Sequence, residues 1–150
     1  MKQQKKMRFE YEGTTPGSVE TETMWVLPVS DGFEVDNVPF YVRGIAVGDV
    51  VSASDSSAEV LEFESLVNPS EHSTVRLWFA KNAESSVAQV RQSLREIGCA
   101  SELSDLPRLV AVDIPPSVPY LRVLDFLTKP ESADLFEYEE ACLGVQQAKS

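Results

Sequence analysis

The hydrophobic period changes once along this chain, at Ser73, and that change constrains the fold more than any other feature. Before Ser73 the apolar residues recur every second position in short runs broken by turn residues, which is the signature of half-buried strands. In "VETETMWVLPV", Val19, Thr21, Thr23, Trp25 and Leu27 share one face, with Glu20, Glu22, Met24 and Val26 on the other. Ser30 to Gly32 make a turn, "GFEV" returns beside the first strand, and "VVSAS" and "EVLEFESLV" follow. Short strands with polar turns between them predict a small barrel or strongly curved sheet over 19–72. Residues 1–18 read as a basic, partly disordered tail with a lead-in strand.

After Ser73 a helical period enters. "STVRLWF" alternates, with Val75, Leu77 and Phe79 opposite Thr74, Arg76 and Trp78. Val87, Val90, Leu94 and Ile97 then recur at helical spacing over 84–97, and Gly98 is placed to end that helix. "CASEL" and "LVAVDI" form a hairpin. Ser117 is placed to cap a second helix with Pro119 in its first turn. "LFEYEEACL" closes as a strand, with Phe136, Tyr138 and Cys142 facing in. This order predicts a ferredoxin-like βαββαβ unit over 73–143, followed by a tail at 144–150, in an α+β protein. Such a sheet puts the strands of Cys99 and Cys142 on opposite edges, about 14 Å apart, beyond the reach of a disulfide.

Between the two patterns lies "VDNVPFYVRGIAVGDVVSAS", Val35 to Ser54, apolar yet without helical period. Asp36 and Asn37 suit a turn, Pro39 holds Val38 extended and leads into Phe40, and Gly44 and Gly48 permit corners on either side of "IAV". Each residue thus has a backbone reason to be there, and the stretch is expected to shape the barrel, with a groove along it as the other possibility.

Charge narrows the function classes. The chain of 150 residues carries 13 Lys and Arg against 24 Asp and Glu, a net charge of −11. Four of the basic residues, Lys2, Lys5, Lys6 and Arg8, precede the first acid, leaving 9 basic against 24 acidic groups beyond them, or −15. Such a body repels nucleic acid and anionic membranes and attracts basic proteins. No run reaches the ~18 apolar residues of a membrane span, and no signal peptide is evident at the start, so a cytoplasmic location is expected.

Catalytic equipment is sparse. One histidine and two distant cysteines do not make a zinc set, and neither phosphate-binding glycine motifs nor a nucleophile elbow occurs, so no metal, cofactor or catalytic residue is expected. His72 has Glu71 and Ser73 beside it, but neighbours on a strand point to opposite faces, which favours a structural histidine. Arg76, in mid-strand, is expected to tie the two halves together through Asp49 or Asp36.

The strings "DNVPF", "GIAVGDVV" and "HSTVRL" resemble the hallmarks of an uncharacterised bacterial domain family, a domain of unknown function whose pattern runs Asp-Asn-Ile-Pro-Phe, Gly-Asp-Val-Val and His-Ser-Thr-x-Arg. Asp36, Asn37, Pro39, Phe40, Gly44, Gly48, Asp49, His72, Ser73, Thr74 and Arg76 carry the resemblance. Val38 stands for the isoleucine, and Glu71 stands where a glycine is usual. The resemblance supports the fold and implies no activity.

A small acidic chain without catalytic equipment suits a non-enzymatic binding role: an immunity protein that neutralises a cognate bacterial toxin, capturing its basic domain by electrostatic steering. The acidic segment "ESADLFEYEE", with Glu131, Asp134, Glu137 and Glu139, is the expected interface. The alternative is a small-molecule-sensing regulatory module, by fold analogy. An enzyme built on Arg76, His72 and Asp49 around one cleft ranks third.

Overall fold

The computed structural model describes residues 3–144. Five strands, β1 (Lys5–Glu12), β2 (Val19–Val29), β3 (Gly32–Val35), β4 (Val50–Ala53) and β5 (Val60–Asn68), close into a barrel in sequence order, sealed by parallel pairing of β1 with β5. Alternate residues point inward and fill the interior: Met7 and Phe9, Met24 and Val26, Phe33 and Val35, Val51, and Leu61 are all buried. The N-terminal segment is therefore more than a tail with a lead-in strand. Lys6, Arg8, Glu10 and Glu12 lie on the outer positions of β1, and Met7, Phe9 and Tyr11 on its inward positions complete the barrel.

The second layer is an antiparallel sheet in the order β7-β8-β6-β9, built from β6 (Ser73–Phe79), β7 (Ala100–Leu103), β8 (Leu109–Ile114) and β9 (Phe136–Cys142). Helices α1 (Val87–Ile97) and α2 (Tyr120–Leu127) cover one face. Val75, Leu77 and Phe79 of β6 and Val110, Val112 and Ile114 of β8 meet Val90, Leu94, Val123 and Leu127 there. Gly98 ends α1 in the left-handed region, its amide returning to Leu94 and Arg95. The second helix begins at Tyr120 with Pro119 as its cap, not Ser117, and no side chain caps it. A short α3 (Pro130–Ala133), not anticipated from the sequence, leads into β9.

Both cysteines are free: Cys99 immediately precedes β7 and Cys142 ends β9, the two opposite edges of the sheet. Cys142 does not join Phe136 in the helix-side core. A register shift opposite Thr74 and Val75 moves it to the other face, where it lines a cavity with Asp49 and His72.

Residues 37–49, which form no strand, join barrel and sheet. Their side chains divide the work: Val42 and Ile45 plug the barrel core, while Tyr41 and Arg43 stand out at the surface. Gly44 and Gly48 both take positive φ, as their corner positions require. A methyl group at Gly48 would also sit 3.0 Å from the Ser70 side chain.

Backbone groups buried without a ladder need other partners. Glu22 of β2 supplies them on the barrel side: its carboxylate accepts the amides of Phe40 (2.7 Å), Tyr41 (3.1 Å) and Val42 (3.0 Å). Arg76 of β6 supplies them on the sheet side, donating to the carbonyls of Pro39 (3.3 Å), Val42 (3.0 Å) and Tyr41 (3.2 Å). One carboxylate takes the donors and one guanidinium takes the acceptors. Further along, Asp49 accepts from Ala46 and Ser70, and the hydroxyl of Thr74 donates to the Ile45 carbonyl. Among the described residues no buried side-chain nitrogen or oxygen lacks a partner.

The tie between the halves thus runs through backbone carbonyls rather than through Asp49 or Asp36. Asp36 instead accepts from the Gln4 amide, and the Asn37 side chain accepts the Trp25 amide of β2. These are long-range bonds to the barrel, where a local turn role was expected.

Candidate functional site

A cleft of about 590 Å³ opens where the turn joining β1 to β2 approaches the barrel-facing side of β6 and β9. The alternation of β6 that sends Leu77 into the helix-side core sends Arg76 and Trp78 toward this cleft, and the in-register neighbours Glu139 and Glu137 of β9 join them. Tyr11, near the end of β1, stacks on Tyr41 of the joining segment with ring centroids 5.4 Å apart. Trp78 is 41% exposed and Tyr41 36%, unusually open for large aromatics. Arg108 lies over the Trp78 ring at 4.9 Å.

The cleft is acidic. Glu12, Glu20, Glu137 and Glu139 oppose Arg43 and Arg76. Glu139 accepts from Arg76 through one oxygen (2.7 and 3.2 Å) and forms an ion pair with Arg43 through the other (3.1 Å). The tyrosines register this field. Burial, then the hydrogen bond to Glu20 and its charge, push the Tyr11 phenol up to about 12. Burial and then the carboxylates of Asp105, Glu22 and Glu20 raise Tyr41. Both phenols stay protonated at neutral pH and act as donors.

A second, smaller cavity of about 450 Å³ lies at the other end of the joining segment, lined by Asp49, His72, Glu140 and Cys142. His72 Nδ1 is 2.8 Å from Asp113 Oδ1, a partner 41 residues away that adjacency in sequence does not reveal. Burial raises the Asp113 carboxyl, and the bond and charge of His72 oppose that shift. Ser73 accepts the amide of Gly144, and Glu71 takes a positive φ of 71°, the turn conformation a glycine would adopt more easily. The Cys142 thiol, pushed up to about 11 by burial and then by Asp49, is not a thiolate at neutral pH and makes a poor nucleophile.

The structure therefore separates the residues of the enzyme reading. Arg76 belongs to the larger cleft, whereas His72 and Asp49 line the smaller cavity. Of the four carboxylates expected at an interface, Glu137 and Glu139 line the cleft, while Glu131 and Asp134 lie exposed on α3 and at its end, outside it. Glu139 is largely committed to the two arginines. The cleft residues missed from sequence, Tyr11, Glu20, Tyr41 and Trp78, come from four separate segments, β1, β2, the joining segment and β6; the local signal available was Trp78, an exposed aromatic on the polar face of β6.

Among the described residues no group of three metal-ligating side chains occurs, and no helix is long and apolar enough to cross a membrane. The class is that of a mixed α and β protein with an acidic, aromatic-walled cleft between a barrel and a sheet. The chain belongs to the family described as Domain of unknown function (DUF4265), which it matches over residues 22–138. Its fold is similar to that of a hypothetical protein from Neisseria gonorrhoeae of known crystal structure: 20% identity, TM-score 0.74, covering 95% of this chain and 96% of that one. No curated protein matches it.

Proposed function

We propose that this chain is a non-enzymatic protein-binding module, most concretely an immunity protein that neutralises a bacterial toxin by holding its basic domain. The observation that carries the reading is the cleft: open aromatics beside four carboxylates and two arginines, on a chain of net charge −11. Aromatic anchors in a desolvated centre with charges around them are the composition of binding hot spots, and a negative field speeds the approach of a basic partner. Glu137 and Glu139 contribute inside the cleft, with Glu131 and Asp134 steering from outside it. A cytoplasmic setting belongs to the same proposal.

The finer description of the second layer belongs here as well. Strand-helix-strand-strand-helix-strand with the order β7-β8-β6-β9 supports a ferredoxin-like unit. The cleft volume favours the second reading, a small-molecule sensor, because ligand pockets commonly measure about 300–1,000 Å³.

The test is capture from native lysate at low salt, followed by release as salt rises. Equimolar retention of one basic protein whose activity the chain inhibits supports the binding module. A chain that elutes alone with a metabolite bound turns the assignment to sensing. Retention of nothing contradicts both.

A further inference from the structure

We propose that the outer oxygen of Glu139 anchors a cation subsite, which takes an arginine side chain of a protein partner in place of this chain's own Arg43. The inference rests on the binding-module reading and says which chemical group the cleft selects.

The two arginines on Glu139 are not equivalent. Arg76 is 6% exposed and donates through both Nε and Nη2 to one carboxylate oxygen, so it holds that oxygen in place and leaves the other directed outward. Arg43 reaches the other oxygen at 3.1 Å from a side chain that is 69% exposed. Exposed pairs contribute little to stability, so the second guanidinium is displaceable while the first is structural. Replacing one guanidinium by another conserves charge and geometry at that oxygen, which a carboxylate ligand would not do.

The surroundings fit the same occupant. A guanidinium stacks on aromatic faces, and the walls present Tyr41, Tyr138 and Trp78. Trp78 already carries the Arg108 guanidinium within this chain. With Arg43 and Arg76 matched against Glu139 and one further acid, two carboxylates of the cleft remain in excess, so anions are repelled and a cation is drawn in.

The test titrates N-acetyl-arginine methylamide into the full chain and follows the Trp78 indole N–H and the Nε–H groups of Arg43 and Arg76 by NMR. Arg43→Ala, at an exposed position, leaves the fold intact and removes the internal competitor. It is expected to bind the probe about threefold to fivefold more tightly than the parent chain. Glu137→Gln is expected to weaken binding, and N-acetyl-lysine methylamide to bind less well than the arginine probe. Affinity unchanged or weakened in Arg43→Ala, or shifts that bypass Trp78 and Arg43, overturns the subsite. That failure, alongside capture of a basic partner, would leave the binding module standing. Arginine binding as described with no basic protein captured would support the subsite and remove the reading beneath it.

Discussion

Arg76→Ala should cost this protein about 3–5 kcal/mol, enough to leave a sizeable unfolded population at physiological temperature where total stability lies near the bottom of the usual range of about 5–15 kcal/mol. The size follows from what the guanidinium leaves behind. Three carbonyls, of Pro39, Tyr41 and Val42, lose their donor inside the junction, and Glu139 loses the partner that orients it. Glu139 is 41% exposed and water can compensate it, so most of the cost falls on the carbonyls. Arg76→Lys should recover only part of the loss, because one ammonium cannot spread donors over three carbonyls and a carboxylate. Urea unfolding followed by far-ultraviolet circular dichroism measures both variants. A loss below about 1 kcal/mol for the alanine would show that the junction does not depend on this side chain.

Glu22→Ala should cost about 2–4 kcal/mol for the complementary reason. The amides of Phe40, Tyr41 and Val42 all end on this one carboxylate, and an unsatisfied buried amide costs about 1–3 kcal/mol. The Tyr41 amide is near solvent and is rehydrated cheaply, which keeps the total below three full penalties. Glu22→Gln separates charge from shape: it keeps one acceptor oxygen but loses the charge assistance that roughly doubles such bonds, so about half of the loss should remain. Thermal melts of the two variants decide it. Equal destabilisation by glutamine and alanine would mean that the pocket tolerates only the carboxylate; no destabilisation by either would contradict the account of the joining segment.

What was legible in the sequence was whatever depends on local period. The switch at Ser73, the two faces of β6, the helix ended by Gly98 and the succession of elements after it follow from side-chain alternation and one cap. Lys5–Glu12 was undervalued because its outer positions carry the charges, and three inward residues read weakly until the barrel closes around them. Residues 37–49 were legible as corners and not as a junction. Their turn chemistry is local, but the groups that satisfy them, Glu22 and Arg76, lie about 20 and 35 residues away, a distance no spacing rule spans. The cleft was the least legible part, since Tyr11, Tyr41 and Trp78 meet only through tertiary packing. Two signals were present: a glutamate inside an alternating strand and an arginine inside a strand buried on both faces.

Native-state hydrogen exchange at the amides of Phe40, Tyr41 and Val42 tests most directly whether residues 37–49 are a fixed wall of the cleft. These amides belong to no strand, yet each has a carboxylate acceptor held by the barrel. If the junction is built as described, the Phe40 and Val42 amides exchange only through the same global opening that exposes the β6 amides. Exchange within about tenfold of an unstructured chain, with β6 still protected, would mean that the segment opens on its own and that the cleft has no fixed wall.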